Sequence, residues 1–143
     1  MKRYVAGFMF SRDKFLVLLI EKMSPAWQRG LLNGIGGKIE AGESPIEAMI
    51  REFAEETGVK TTAEEWTEFV HYIRQDVYEV HFYSTFTDKI HSAVTLEKEV
   101  IAKFKSDRLP KNVIFNLNWL IPLSLDEAVS FAAPILVREK QNI

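Results

Sequence analysis

Cysteine is missing from all 143 residues, which excludes a disulfide framework, a thiolate nucleophile and a zinc–cysteine site. Neither charge dominates: 18 Lys and Arg face 20 Asp and Glu, for a formal net charge of −2. With no block of Lys or Arg either, nothing electrostatic points to a nucleic-acid duplex or an anionic membrane as partner. No apolar run approaches the length of a bilayer span. The N-terminal MKRYVAGFMF has the basic-then-apolar order of a signal peptide. Ser11-Arg12-Asp13-Lys14 interrupts it, and no small-residue cleavage site follows. There is also no internal repeat or low-complexity tract. What remains is the expectation of a soluble, cytoplasmic protein. Hydrophobic residues at 47% and charged residues at 27% suit one compact domain over positions 1–143.

Short β-branched and aromatic runs supply the strands. Residues 4–10 and 15–20 read as a hairpin across the SRDK turn, and residues 68–74 and 77–86 as a second pair turning at Gln75-Asp76. The stretch EKMSPAWQRGLLNGIGG reads as loop, followed by a short strand around Lys38 and Ile39. Residues 99–104 form another strand. Residues 112–125 read as a terminal helix with Asn118 as N-cap and Pro122 in the first turn. Interspersed strands and helices make the class α/β or α+β.

One helix is marked at both ends. Ser44 and Glu47 satisfy a capping box, Pro45 fits the first helical position, and Gly58 stands where a C-terminal glycine belongs. At about 100° per residue, Ile46, Ile50, Phe53 and Thr57 share an apolar stripe, while Glu52, Glu55 and Glu56 share another face with Arg51 beside them. Like charges at this spacing repel, so water or a cation must lie among them. The plain reading is a solvated helix surface. The chemical reading is that Glu52 and Glu56, one turn apart, reach the same Mg²⁺, which takes one or two carboxylates, waters and substrate phosphate. Glu55 then holds a second ion or accepts a proton from water. The glycines before the helix let backbone pass close to a metal or phosphate.

Gly37, Glu43, Arg51, Glu52, Phe53, Glu55, Glu56, Gly58 and Val59 match every fixed position of Gly-x5-Glu-x7-Arg-Glu-U-x-Glu-Glu-x-Gly-U. The segment closely resembles the box of the Nudix hydrolases. That resemblance implies a mixed, curved sheet sandwiched between helices. It also implies Mg²⁺- or Mn²⁺-dependent attack of water on a phosphoanhydride. Glu52 and Glu56 would be the main metal ligands, Glu55 a further ligand or the base, and a backbone carbonyl near Gly36 or Gly37 would complete the shell. Arg51 would orient a glutamate of the box through an ion pair, Glu43 being one candidate. Lys38 would neutralise phosphate charge. Many members add a glutamate from outside the box; of Glu97 and Glu99, the second is preferred because it opens the predicted strand. Both can equally be exposed strand-end charges.

The run Asn33 to Glu43, Asn-Gly-x-Gly-Gly-Lys-x-Glu-x-Gly-Glu, is similar to the MutT-type hydrolases of oxidised purine nucleoside triphosphates. Those relatives imply that Asn33 hydrogen-bonds the base; alternatively Asn33-Gly34 is only a turn pair. Trp27, Tyr83 and Trp119 are aromatics that can stack on a base. Trp119 is expected to pack its helix on the sheet, and Trp27 is the most exposed to ligand, or else a loop anchor. No acidic pair stands near Trp119. His71, His81 and His91 show no ligand pattern and read as solvated or core histidines. The reaction expected is cleavage of a modified or surplus purine dNTP, 8-oxo-dGTP-like, to the monophosphate and pyrophosphate. The alternatives are hydrolysis of ADP-ribose or a dinucleotide, RNA 5′-end trimming, and a non-catalytic nucleotide sensor. The family also admits a homodimer.

Overall fold

Alternation along the first strand sets the layout. In the computed structural model, which describes residues 1–141, β1 spans Lys2–Phe10. The last two positions of the expected 1–143 domain lie outside the described residues. Because successive side chains point to opposite faces, Val5 and Met9 enter one core, and Ala6, Phe8 and Phe10 the other. The first core is closed by helix α1, Pro45–Thr57, through Met49 and Phe53. The second is closed by helix α2, Leu117–Leu125, through Leu117, Leu120 and Ile121. The resulting layers are helix, sheet, helix.

The other strands are β2 (Leu16–Glu21), β3 (Leu32–Asn33), β4 (Ile35–Lys38), β5 (Thr67–Arg74), β6 (Tyr78–Phe86), β7 (Ile101–Lys105) and β8 (Ile135–Arg138). They run in the order β3-β2-β1-β6-β5-β8, with β4 on β1 and β7 on β2. The pairs β1–β6 and β5–β8 are parallel and the rest antiparallel, so the sheet is mixed, as expected. Gly34 separates β3, paired to β2, from β4, paired to β1. A Cβ there would press on the Phe8 ring and the Gly7 carbonyl, so only glycine lets the chain cross between the two partners.

Four expectations need correction. The glycine-rich stretch is not all loop, because residues 32–38 are held to β2 and β1 by ladder hydrogen bonds; no run of side chains announces a strand made largely of glycine. The strand predicted from Glu99 begins two residues later, at Ile101. The helix predicted over 112–125 begins at Leu117, because residues 112–114 are spent on β3: Leu32 donates to the Asn112 carbonyl and Ile114 to the Leu32 carbonyl. Asn118 is thus inside the helix rather than capping it, and Pro122 is its sixth residue. The ring is tolerated because it faces water, where the unpaired Asn118 carbonyl is solvated. Nor is this helix terminal, since β8 follows and pairs with β5.

Helix α1 forms as its signals dictate. Ser44 Oγ accepts from the Glu47 amide at 3.3 Å, and Glu47 Oε1 accepts from the Ser44 amide at 2.9 Å. Gly58 sits at φ 76° and donates to the Ala54 carbonyl, a left-handed cap that a side chain would strain. Its buried face is Ala48, Met49, Phe53 and Thr57, with Ile46 and Ile50 only partly covered. The apolar stripe is rotated from the expected one because Met49 packs over Gly7, which lacks a Cβ to block it.

Candidate active site

The acidic face of α1 is aimed at β4. A Cβ at Gly37 would fall on the Glu52 carboxylate, and one at Gly36 on the Val5 carbonyl. Two glycines in succession therefore let the helix lay a carboxylate directly on the strand. Arg51 holds that arrangement. Its Nε donates to Glu43 Oε2 at 2.7 Å and its Nη2 to Glu43 Oε1 at 2.9 Å, a two-point pairing. Nη1 reaches Glu52 Oε1 at 2.9 Å and Glu55 Oε2 at 3.4 Å, while Nη2 also donates to the Lys38 carbonyl at 3.0 Å. One guanidinium thus ties the loop, the strand and two helix carboxylates together. It holds the Glu43 carboxyl down at about 2.

The two remaining carboxylates are under strain of the opposite sign. Burial pushes Glu52 above its ordinary value against the pull of Arg51. Glu56 is pushed up to about 7, first by burial and then by the charges of Glu97, Glu52 and Glu99, with Lys22 opposing. Its Oε2 is buried and has no hydrogen-bond partner among the described residues. A buried carboxylate oxygen without a donor, facing three more carboxylates, fits a hard divalent cation: the ion would satisfy the oxygen and remove the repulsion together. Glu55 stands apart, half exposed and turned toward Arg51.

Glu97 and Glu99 both approach the box. Glu99 is engaged: it accepts from Lys22 Nζ at 3.1 Å and from the Met23 amide at 2.6 Å. Glu97 weighs more heavily on Glu56 than Glu99 does. Through Met23, Glu99 anchors the loop whose next residues, Ser24, Pro25 and Trp27, line a cavity of about 540 Å³ with Lys2, Tyr4, Arg74, Val77 and Tyr78. Tyr4 pairs with Lys38 across β1 and β4, so Lys38 shares the face of Tyr4. Trp27 is 68% exposed and lies at that cavity.

Asn33 spends its Oδ1 on the Gly34 amide at 2.8 Å and its Nδ2 on Gln28 Oε1 at 3.5 Å, leaving Nδ2 weakly held. Tyr83 does not line that cavity: it is buried on the α1 side, edge-on to Trp66, because alternation along β6 sends it into that core. Trp119 packs against the other core, as expected. Asn116 was not singled out by the sequence. Its Oδ1 is buried without a partner among the described residues, just after the segment bonded to β3. An asparagine read as helix interior gives no sign of this.

The histidines divide. His91 is exposed beside Lys103. His71 and His81, read as solvated or core residues, are instead stacked at 4.3 Å between ring centroids and brought against Glu68 and Glu79. Only the β5–β6 register does this.

Carboxylates pressed onto a glycine strand, with a cationic and aromatic cavity joined to them by one loop, define an enzyme of phosphate-ester or phosphoanhydride chemistry. Comparison with known proteins makes the class specific. The NUDIX domain model matches residues 1–135, and the chain belongs to that family: it is a Nudix hydrolase, a pyrophosphohydrolase of a family that typically uses divalent metals. Among solved structures it is similar to a MutT from work on the Aliivibrio salmonicida and Vibrio cholerae proteins. Identity is 26% over 85% of this chain and 98% of the other, with a TM-score of 0.67. A MutT protein from Bacillus halodurans matches at 21% identity, covering 85% and 82%, with a TM-score of 0.64. A MutT NUDIX hydrolase from Burkholderia pseudomallei matches at 21%, covering 85% and 95%, with a TM-score of 0.66. No curated protein matches the chain. Among the described residues, no helix is long and apolar enough to cross a membrane.

Proposed function

We propose that this Nudix hydrolase cleaves a nucleoside triphosphate, a modified or surplus purine dNTP of the 8-oxo-dGTP kind, to the monophosphate and pyrophosphate. The observation that carries the reading is the Glu52–Glu56 pair beneath Gly37, with its orphaned Glu56 oxygen. Glu52 and Glu56 would hold Mg²⁺, with Glu97 or Glu99 contributing from the other side and the Gly36 or Gly37 carbonyl within the same cradle. When bound, the ion supplies charge neutralisation and polarisation of the phosphoanhydride. Arg51 keeps Glu52 oriented and Glu43 ionised. Glu55, exposed and held only loosely at 3.4 Å by Arg51, is the carboxylate free to take a proton from the attacking water. Lys38 meets the phosphate chain.

Base recognition falls to the cavity beyond the Glu99-anchored loop. Its volume lies within the range of small-ligand sites, and Trp27, Tyr4 and Tyr78 offer aromatic faces for stacking. Asn33, outside this cavity's lining, has its Nδ2 only weakly held by Gln28 and offers it as a donor to a base edge. The similarity to MutT structures supports the same reading. Lys2 and Arg74 on the cavity wall favour one second reading, a nucleoside diphosphate linked to a further group such as ADP-ribose or a second nucleotide.

The product separates the two. Phosphate release is measured with Mg²⁺ over a panel of dNTPs, oxidised dNTPs, ADP-ribose and dinucleotides, with pyrophosphatase or alkaline phosphatase as the coupling enzyme. A pyrophosphatase-dependent signal on a purine dNTP is expected. A signal on ADP-ribose or dinucleotides that needs alkaline phosphatase instead would transfer the enzyme to the second class.

A further inference from the structure

Glu68, His71 and His81 are used by nothing in the hydrolase site, yet the sheet assembles them. His71 pairs with His81 across β5 and β6, His81 with Val5 across β6 and β1, and Val5 with Gly37 across β1 and β4. Val5 belongs to the α1-side core and Glu52 covers Gly37, so the whole row faces α1. Two strand spacings, about 10 Å, separate His81 from Gly37. The register shift between Glu68 and Val70 brings Glu68 onto that face too, where its Oε2 lies 2.8 Å from His81 Nδ1.

The hydrogen bonds determine which ring nitrogens are free. Glu79 faces His71 Nε2 at 3.2 Å with one oxygen and His81 Nε2 at 3.3 Å with the other, and Arg3 Nε donates to it at 2.8 Å. The Arg3–Glu79 ion pair keeps that carboxylate in place behind both rings. A carboxylate paired to a guanidinium accepts, so each ring can donate to it from Nε2. In a neutral ring the lone pair is then on Nδ1. At His81 that atom faces the Glu68 carboxylate at 2.8 Å, a nitrogen and an oxygen close enough to share one ion.

We propose that Glu68, His71 and His81 form a second metal site, separate from the carboxylates of the box, for Zn²⁺ or an ion of similar coordination chemistry. One donor atom from each residue lies within 4.8 Å of the other two. A tetrahedral ion with bonds near 2.0–2.1 Å needs edges of about 3.3 Å, so the widest donor pair closes by about 1.5 Å and the Glu68–His81 pair opens from 2.8 Å. The His71 ring turns out of its stack on His81 to aim its lone pair at the ion. Glu68 and His71 are 22% and 26% exposed, which leaves them room to move and a fourth position open to water. Glu79 has the place of the carboxylate that orients metal-binding histidines from behind, and Arg3 fixes it. Two imidazoles and one carboxylate select a borderline ion, whereas Mg²⁺ takes oxygen ligands. Occupancy would clip β5 to β6 beside the catalytic helix.

Co²⁺ titrated into chelator-stripped full-length protein, with Mg²⁺ in excess to occupy the box, is the test. Visible absorption reports four-coordinate Co²⁺, and Zn²⁺ is added to displace it. One equivalent is expected in the wild type and in the Glu52→Gln, Glu56→Gln double variant. At least a tenfold loss of affinity is expected in His71→Ala and in Glu68→Gln, both at part-exposed positions, with thermal melts confirming that each folds. The proposal is overturned if the wild type gives no such spectrum, if both part-exposed variants bind as the wild type does, or if only the box variant loses the signal.

Discussion

Replacing Glu56 by glutamine makes opposite demands on stability and on catalysis. Without metal, the folded protein holds the Glu56 carboxyl near 7, against an ordinary 4.5. A raised carboxyl pKa means that the folded state binds the proton more tightly than the unfolded one. The sign follows: stability is whole below about pH 4.5, falls as pH rises through 7, and is flat beyond. At about 1.4 kcal/mol per pH unit the rise caps the penalty at roughly 3 kcal/mol. Water still reaches the group, and screening reduces this to about 1–2 kcal/mol. Glutamine has the same shape and no charge. In a chelating buffer at pH 8, Glu56→Gln should therefore melt about 3–6 °C above the wild type, with the difference shrinking toward pH 5. Mg²⁺ should raise the wild-type melting temperature and leave the variant unmoved, while turnover in the variant drops by orders of magnitude. A variant that melts lower than the wild type at pH 8, or whose pH profile runs parallel to it, would refute the account of Glu56 as a carboxylate held in place for a cation.

Gly37→Ala puts a methyl group where the Glu52 carboxylate lies; kcat should fall at least about tenfold with the fold retained, whereas Gly42→Ala, at φ +77° with open space around it, should cost only about 1 kcal/mol in a denaturant melt and no activity. Arg51→Ala frees Glu43, Glu52 and the Lys38 carbonyl at once, and should destabilise by about 2–3 kcal/mol as well as lowering kcat; Lys at this position, lacking the two-point geometry, should not restore either quantity. Stability owed to the Glu43–Arg51 pair has the opposite pH sign to that of Glu56: the Glu43 carboxyl is lowered to about 2, so the contribution is present above about 4.5 and is lost as pH falls toward 2, which acid melts of the wild type and Glu43→Gln should resolve. Trp27→Ala should raise KM for the preferred nucleotide by about 5- to 150-fold, the equivalent of about 1–3 kcal/mol of stacking, and leave the melting temperature unchanged because the side chain is exposed.

Helix α1 shows why some of this protein is readable without coordinates. Its caps, its length and its acidic face are set within a dozen or so residues, and local hydrogen bonds enforce them wherever the segment is placed. The same holds for β1, β2, β5 and β6, whose β-branched and aromatic runs leave little alternative. The glycine-rich segment reads as loop for the converse reason: β3 and β4 are strands because β1 and β2 offer them edges, and their own side chains carry almost no pattern. The start of α2 is not legible locally because residues 112–114 are claimed by β3, a contact that spans about eighty positions of sequence.

The chain by itself therefore determined the reaction chemistry: seven fixed polar and glycine positions within one loop–helix segment are enough to assemble a carboxylate site. Tertiary structure decided everything that depends on register. It turned Tyr83 into the core and left Trp27 at the cavity, joined Glu99 to the Met23 amide, and raised Glu56 by burying it among Glu52, Glu97 and Glu99. It also stacked His71 on His81 beside Glu68. Glu68 and His71 lie on β5 and His81 on β6, and a one-residue slip in that pairing would have put the two histidines on opposite faces.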